Sequence, residues 1–68
     1  MINRYEFPDS AMLASCEYDT KEKELSVTFK NGRTYVYVDV PEDTYNQLIG
    51  AKSAGGYFNS IKRDLKQK

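Results

Sequence analysis

The chain has 68 residues, 40 % hydrophobic and 29 % charged, with ten basic and ten acidic side chains and no formal net charge. This is the composition of one globular domain rather than a disordered tail, and its apolar runs fall far short of the ~20 residues of a membrane span. There is no histidine and Cys16 is the single cysteine, so Ser-His and Cys-His pairs, the usual transition-metal sites and an internal disulfide are excluded.

A domain this small buries only ~60 % of its unfolded surface, so modest stability is expected, and self-association is one way to bury more. The N-terminal "MINRYEFPDS" has no apolar core of a signal peptide. A lone cysteine suits a reducing compartment, so the expected location is cytoplasmic, with no membrane partner.

In chain order, Ser10 is placed to cap a short helical turn, "SAMLAS", with Phe7, Met12 and Leu13 as apolar anchors. "ASCEYD" alternates Ala14, Cys16 and Tyr18 with polar residues, a half-buried strand. After the charged turn "TKEKE", Leu25, Val27 and Phe29 alternate with Ser26, Thr28 and Lys30, a second strand. "NG" then signals a hairpin into a third strand, "RTYVYVDV". Pro41 ends that strand and opens a helix, with Glu42 and Asp43 at its positive end. Tyr45, Leu48, Ile49 and Lys52 recur at i, i+3, i+4 and i+7, so the first three form an apolar stripe. "SAGG" breaks the helix and a second begins near Gly56, with Phe58, Ile61 and Leu65 as its apolar stripe. Asn59, Lys62, Arg63 and Lys66 then fall on its outer face. The predicted fold is α+β: a three-stranded antiparallel meander followed by two helices packed on one sheet face.

The hairpin admits two registers. A two-residue Asn31-Gly32 loop sets Val27 opposite Val36 and Leu25 opposite Val38, which puts Tyr35 and Tyr37 on the face away from the aliphatics. A three-residue loop, Lys30-Asn31-Gly32, with Gly32 left-handed in a bulge, sets Val27 opposite Tyr35 and Leu25 opposite Tyr37. The tyrosines then face the core. A one-residue slip inverts every side chain, so the two exclude each other. Binary pattern alone favours the first.

Ser10, Tyr18-Asp19, Leu25-Ser-Val27-Thr-Phe29, Gly32, Tyr35-Val-Tyr37, Val40-Pro41, Ser53-Ala-Gly55-Gly-Tyr57-Phe58-Asn59 and Ile61 together resemble the KTSC domain. That family is named for a module at the C-terminus of some lysyl-tRNA synthetases, and it also occurs as small stand-alone bacterial and phage proteins. The resemblance spans about residues 9 to 65, so residues 1–68 read as a single KTSC-like domain. In the family the residue between the two tyrosines is often polar, which implies tyrosines turned to the core and the bulged turn. RNA binding has been suggested for the family. These 68 residues hold no synthetase domain, so a part in tRNA charging is not expected.

Residues 1 to 51 hold five basic against nine acidic side chains, while residues 52 to 68 hold five basic against one acidic. A basic tail on an acidic body marks a nucleic-acid contact, or simply complements the negative end of a helix dipole. In "AKSAGGYFNSIKR", Lys52, Ser53, Gly55 and Gly56 surround a helix start, where free N–H groups, a hydroxyl and an ammonium would suit a phosphate. The segment matches neither common phosphate-loop motif, and it reads equally as a helix-to-helix turn with Ser53 as the cap. Tyr35 and Tyr37 are candidates for stacking bases, or a core pair. Cys16 reads as a small core residue and the carboxylates as a solvated face.

The expected function is that of a small non-enzymatic binding module without a cofactor, taking RNA or a phosphate-bearing nucleotide. The candidate ligand-binding residues are Tyr35, Tyr37, Lys52, Ser53, Gly55, Gly56, Lys62, Arg63 and Lys66. The alternative is an interaction module that assembles with itself or a protein partner, including a phage-type oligomer that sequesters a small nucleotide.

Overall fold

The computed structural model describes residues 2–68. Five strands form one antiparallel sheet in chain order: β1 (Ile2–Glu6), β2 (Leu13–Asp19), β3 (Glu24–Phe29), β4 (Thr34–Val38) and β5 (Lys66–Gln67). Helices α1 (Glu42–Gly50) and α2 (Ala54–Ile61) lie between β4 and β5, and a 3-10 turn, Lys62–Asp64, leads into β5. The α+β class and the central meander agree with the sequence reading. Three strands understate the sheet, because β1 and β5 extend it at both edges.

The local chemistry explains each turn. Ser10 does not start a helix. Its Oγ accepts the N–H groups of Met12 (3.2 Å) and Leu13 (2.9 Å) and turns the chain directly into β2. Between β2 and β3 the Asp19 carboxylate accepts the N–H groups of Lys21 and Glu22, and Lys23 takes a positive φ of 55°. These two hydrogen bonds hold the Asp19 carboxyl below the usual aspartate range.

The β3–β4 turn is the bulged one. Gly32 has φ 93°, its N–H donates to the Phe29 carbonyl (2.9 Å), and Phe29 N–H donates to Arg33 (2.8 Å). Leu25 therefore pairs with Tyr37 and Val27 with Tyr35. The tyrosines take the core face, as the family resemblance implied and the binary pattern did not.

That face carries the core. Tyr18, Phe58, Leu13, Leu25, Leu48, Val27, Val40 and Cys16 are completely buried. Tyr18 stacks on Tyr45 with ring centroids 5.0 Å apart and planes 12° off parallel. The Phe58 ring meets both Phe29 and Tyr37 edge-on at 5.6 Å. Such contacts add to the area the aromatics bury. From α1, Tyr45 and Leu48 are buried and Ile49 packs against them, the stripe its spacing predicts.

The second helix is shorter than predicted. It stops at Ile61, and Leu65 is extended (φ −91°, ψ 141°). Leu65 still packs against the core, but from a returning strand rather than a helical stripe. The return lets Lys66 and Gln67 pair with Val38 and Tyr37, satisfying backbone groups along β4 that a longer helix would leave unpaired.

Candidate functional site

One substantial groove lies where the β1–β2 loop meets the start of α2, with a volume of about 400 Å³. Phe7, Met12, Ile49 and Ala54 give it an apolar floor, and Ser10, Ser53 and Asn59 line it with polar groups. Lys52 stands on one wall, and Glu6 and Asp9 on the other.

A serine shapes each wall. Ser53 caps α2, its Oγ accepting Gly56 N–H at 3.3 Å, while its carbonyl accepts Tyr57 N–H at 2.9 Å. Ser10 does the equivalent work for the facing loop. Both oxygens are thus committed as acceptors, and each hydroxyl keeps a proton to donate. Ala54 and Gly55 open the helix, so their N–H groups have no acceptor within it.

Gly55 suits a close approach. A Cβ there would come within 3.3 Å of Met12 Cε and 3.4 Å of Met12 Cβ, so the helix start rests directly on the β1–β2 loop. At Gly56 an added Cβ would stand 3.0 Å from Ser53 Oγ and press on the cap. The glycines therefore serve packing and capping first, as the helix-turn reading of this segment held.

Of the nine candidate residues, Lys52, Ser53, Gly55 and Gly56 line the groove together. The other five do not join them. Tyr37 is buried beneath Phe58, and Tyr35 is half-buried with its ring edge-on to Phe29 at 5.6 Å. Tyr37 offers no free face, so its stacking role is corrected: the bulge at Gly32 turns it toward the core, and Tyr35, on the same sheet face, stays half-buried. Lys62 and Arg63 lie in the 3-10 turn and Lys66 on β5, not on an outer face of α2. An eight-residue helix is ~12 Å long, and these cations sit beyond its far end, apart from the groove.

Tyr5, Glu6, Phe7, Asp9, Ser10, Met12 and Asn59 contribute to the groove without having been singled out as ligand contacts. Phe7, Ser10 and Met12 carried a sequence signal only as anchors and cap. Tyr5 and Glu6 sit on a strand whose residues are almost all exposed, so they showed no period to read.

Cys16 is buried. Burial, reinforced by the Glu17 charge, pushes its thiol up to about 12, far from a reactive thiolate near neutral pH. Among the described residues no three His, Cys, Asp or Glu side chains gather as a metal site. No helix among them is long and apolar enough to cross a membrane.

The chain is similar to several known proteins. A crystal structure of a KTSC domain protein from Yersinia pestis is similar over 100 % of this chain and 96 % of its own, with a TM-score of 0.89 and 28 % identity. A protein of Tsukamurella paurometabola is 34 % identical over 53 residues, 78 % of this chain and 79 % of its own length. An uncharacterized protein of Stutzerimonas stutzeri is 36 % identical over 52 residues, 76 % of this chain and 73 % of its own. Residues 9–64, from the loop that walls the groove through α2 to the turn before β5, match the KTSC domain, and the chain belongs to that family.

Proposed function

We propose that the protein is a non-catalytic module that binds a small phosphate-bearing nucleotide in the groove. The observation that carries this reading is the gathering of Lys52, Ser53, Gly55 and Gly56 on one wall of a groove of about 400 Å³, a size suited to a small ligand. A phosphate would lie beside the Lys52 ammonium and the Ala54 and Gly55 N–H groups, where a helix start favours an anion. Asp9, facing it, would accept hydrogen bonds from ribose hydroxyls or a base amino group, and the apolar floor would take the ring.

A polynucleotide fits less well. The Asp9 carboxylate on the facing wall repels a phosphate backbone, and Lys62, Arg63 and Lys66 are too distant to offset it. The test is an NMR titration with nucleoside mono- and diphosphates, nucleosides, inorganic phosphate and single-stranded RNA. Nucleotides should shift the Lys52–Gly55, Asn59 and Asp9–Met12 resonances more than nucleosides or phosphate alone, and Lys52→Ala and Asp9→Asn should each weaken binding. No binding, or shifts confined to other faces, would overturn the reading. RNA binding that responds to Lys62 and Arg63 instead would move the function to the basic turn.

A further inference from the structure

The two edges of the sheet differ. β5 is two residues long, begins with Lys66 and is followed by Lys68, a short, charged edge of the kind that discourages pairing. β1 is five residues long and lies at the other end of the strand order. Ile2 and Tyr5, both on β1, are the exposed large hydrophobic residues among those described, at 65 % and 41 % exposure.

The direction of β1's free backbone groups follows from its pairing with β2. Phe7 N–H donates to the Ala14 carbonyl at 3.0 Å, and the register runs Tyr5 to Cys16 and Asn3 to Tyr18. By antiparallel alternation, Asn3, Tyr5 and Phe7 turn their N–H and C=O toward β2, while Ile2, Arg4 and Glu6 turn theirs outward. A strand docking on this edge must align hydrogen-bonded pairs with those three residues.

We infer that β1 docks antiparallel on β1 of a second copy of this chain, about a two-fold axis through Tyr5. This register sets Arg4 opposite Glu6 of the second copy, and Glu6 opposite its Arg4, as hydrogen-bonded pairs of opposite charge. Tyr5 meets Tyr5 of the second copy at a non-hydrogen-bonded position, where side chains come closest. Moving the axis to Arg4 would oppose two like charges, so the charge pattern selects this alignment. Arg4 already reaches Glu17 at 3.4 Å on the outer sheet face, and would then lie between two carboxylates. Tyr5 and Phe7, with ring centroids 5.1 Å apart, join their counterparts on the helix-bearing face. Tyr5 and Glu6 also wall the groove, so pairing brings the two grooves side by side. An edge of five residues buries little area, so the dimer is of the weak, transient class.

The test is the oligomeric state by sedimentation equilibrium at up to about 1 mM, where even a millimolar Kd leaves much of the chain paired, together with cysteine cross-linking, both without added ligand. Tyr5→Cys should give a disulfide-linked dimer under mild oxidation, faster than Asn3→Cys, because only residue 5 meets itself across the axis; both are made together with Cys16→Ala, since Cys16 is the register partner of Tyr5 on β2 and would otherwise compete. Arg4→Pro removes an outward N–H and should abolish the dimer while circular dichroism shows the fold retained. Arg4→Glu should weaken pairing at least about tenfold and Arg4→Glu with Glu6→Arg should restore it, since the double exchange re-forms opposite-charge pairs. A wild-type monomer at every concentration, a position-3 cross-link that outruns position 5, or a dimer indifferent to both Arg4 substitutions would overturn the inference.

Discussion

The Tyr18 hydroxyl donates a 2.5 Å hydrogen bond to the carbonyl of Val40, 22 residues further along the chain. It fastens β2 to the link between β4 and α1, and both residues are completely buried. Tyr18→Phe keeps the ring and its stack on Tyr45 but leaves a buried carbonyl without this donor. The expected loss is about 1–3 kcal/mol, which at this size lowers Tm by ~4 °C or more. A urea denaturation series with the wild type as reference measures it.

Alkaline pH acts on the same core. Burial pushes Cys16 from 9.0 up to about 12, and burial foremost raises Tyr18, Tyr37 and Tyr45 above 10.0. All four groups are neutral when protonated, and their folded pKa values exceed the unfolded ones. The unfolded chain therefore releases protons first as pH rises, and stability falls there. Urea midpoints should show no loss from these groups below pH 9 and should decline above it, with the tyrosines adding to the fall beyond pH 10. Native Cys16 should resist iodoacetamide at neutral pH and react freely in denaturant.

Two glycines should respond in opposite senses to the same substitution. Gly32 holds φ 93° with open space around its Cβ position, so Gly32→Ala is costly through backbone strain alone, at about 1–2 kcal/mol. Gly50 ends α1 with no positive φ and nothing near its Cβ position. Gly50→Ala should stabilise by about 0.4–1 kcal/mol by lowering unfolded-state entropy. Thermal melts of the two variants, run together, check both signs.

The proposed nucleotide site separates the cations. Lys52→Ala should lower nucleotide affinity by about tenfold, the effect of losing one charged hydrogen bond. The double change Lys62→Ala with Arg63→Ala should leave that affinity unaltered, because both residues lie past the far end of α2. Calorimetric titration of a nucleoside diphosphate into each variant distinguishes them.

The central strands were legible because their residues alternate between a buried face and an open one, and α1 because Tyr45, Leu48 and Ile49 keep a helical period. β1 was not legible, since an edge strand with nearly every residue exposed has no buried face to impose a pattern. Ile61 and Leu65 sit at helical spacing, yet the unpaired backbone of β4 draws Leu65 into an extended return. A tertiary demand overrode a local period. The tyrosine face turned on the φ of Gly32, which hydropathy does not encode. Half of the candidate site was visible for a related reason: the Ser53 to Gly56 turn carries its chemistry in adjacent residues, whereas the opposite wall comes from a loop over forty positions earlier.

Because each strand's sheet neighbour is also its nearest strand in sequence, β1 to β4 can assemble through short loop closures, each entropically cheap. β5 is different: it reaches β4 only after both helices are in place, and two residue pairs and the Lys68 N–H bond to Val36 hold it there. It should be the last strand to join and the first to detach. In amide hydrogen exchange, Val38 and Lys68 should lose protection well before Leu25 and Val27, through local opening that leaves the rest of the sheet intact.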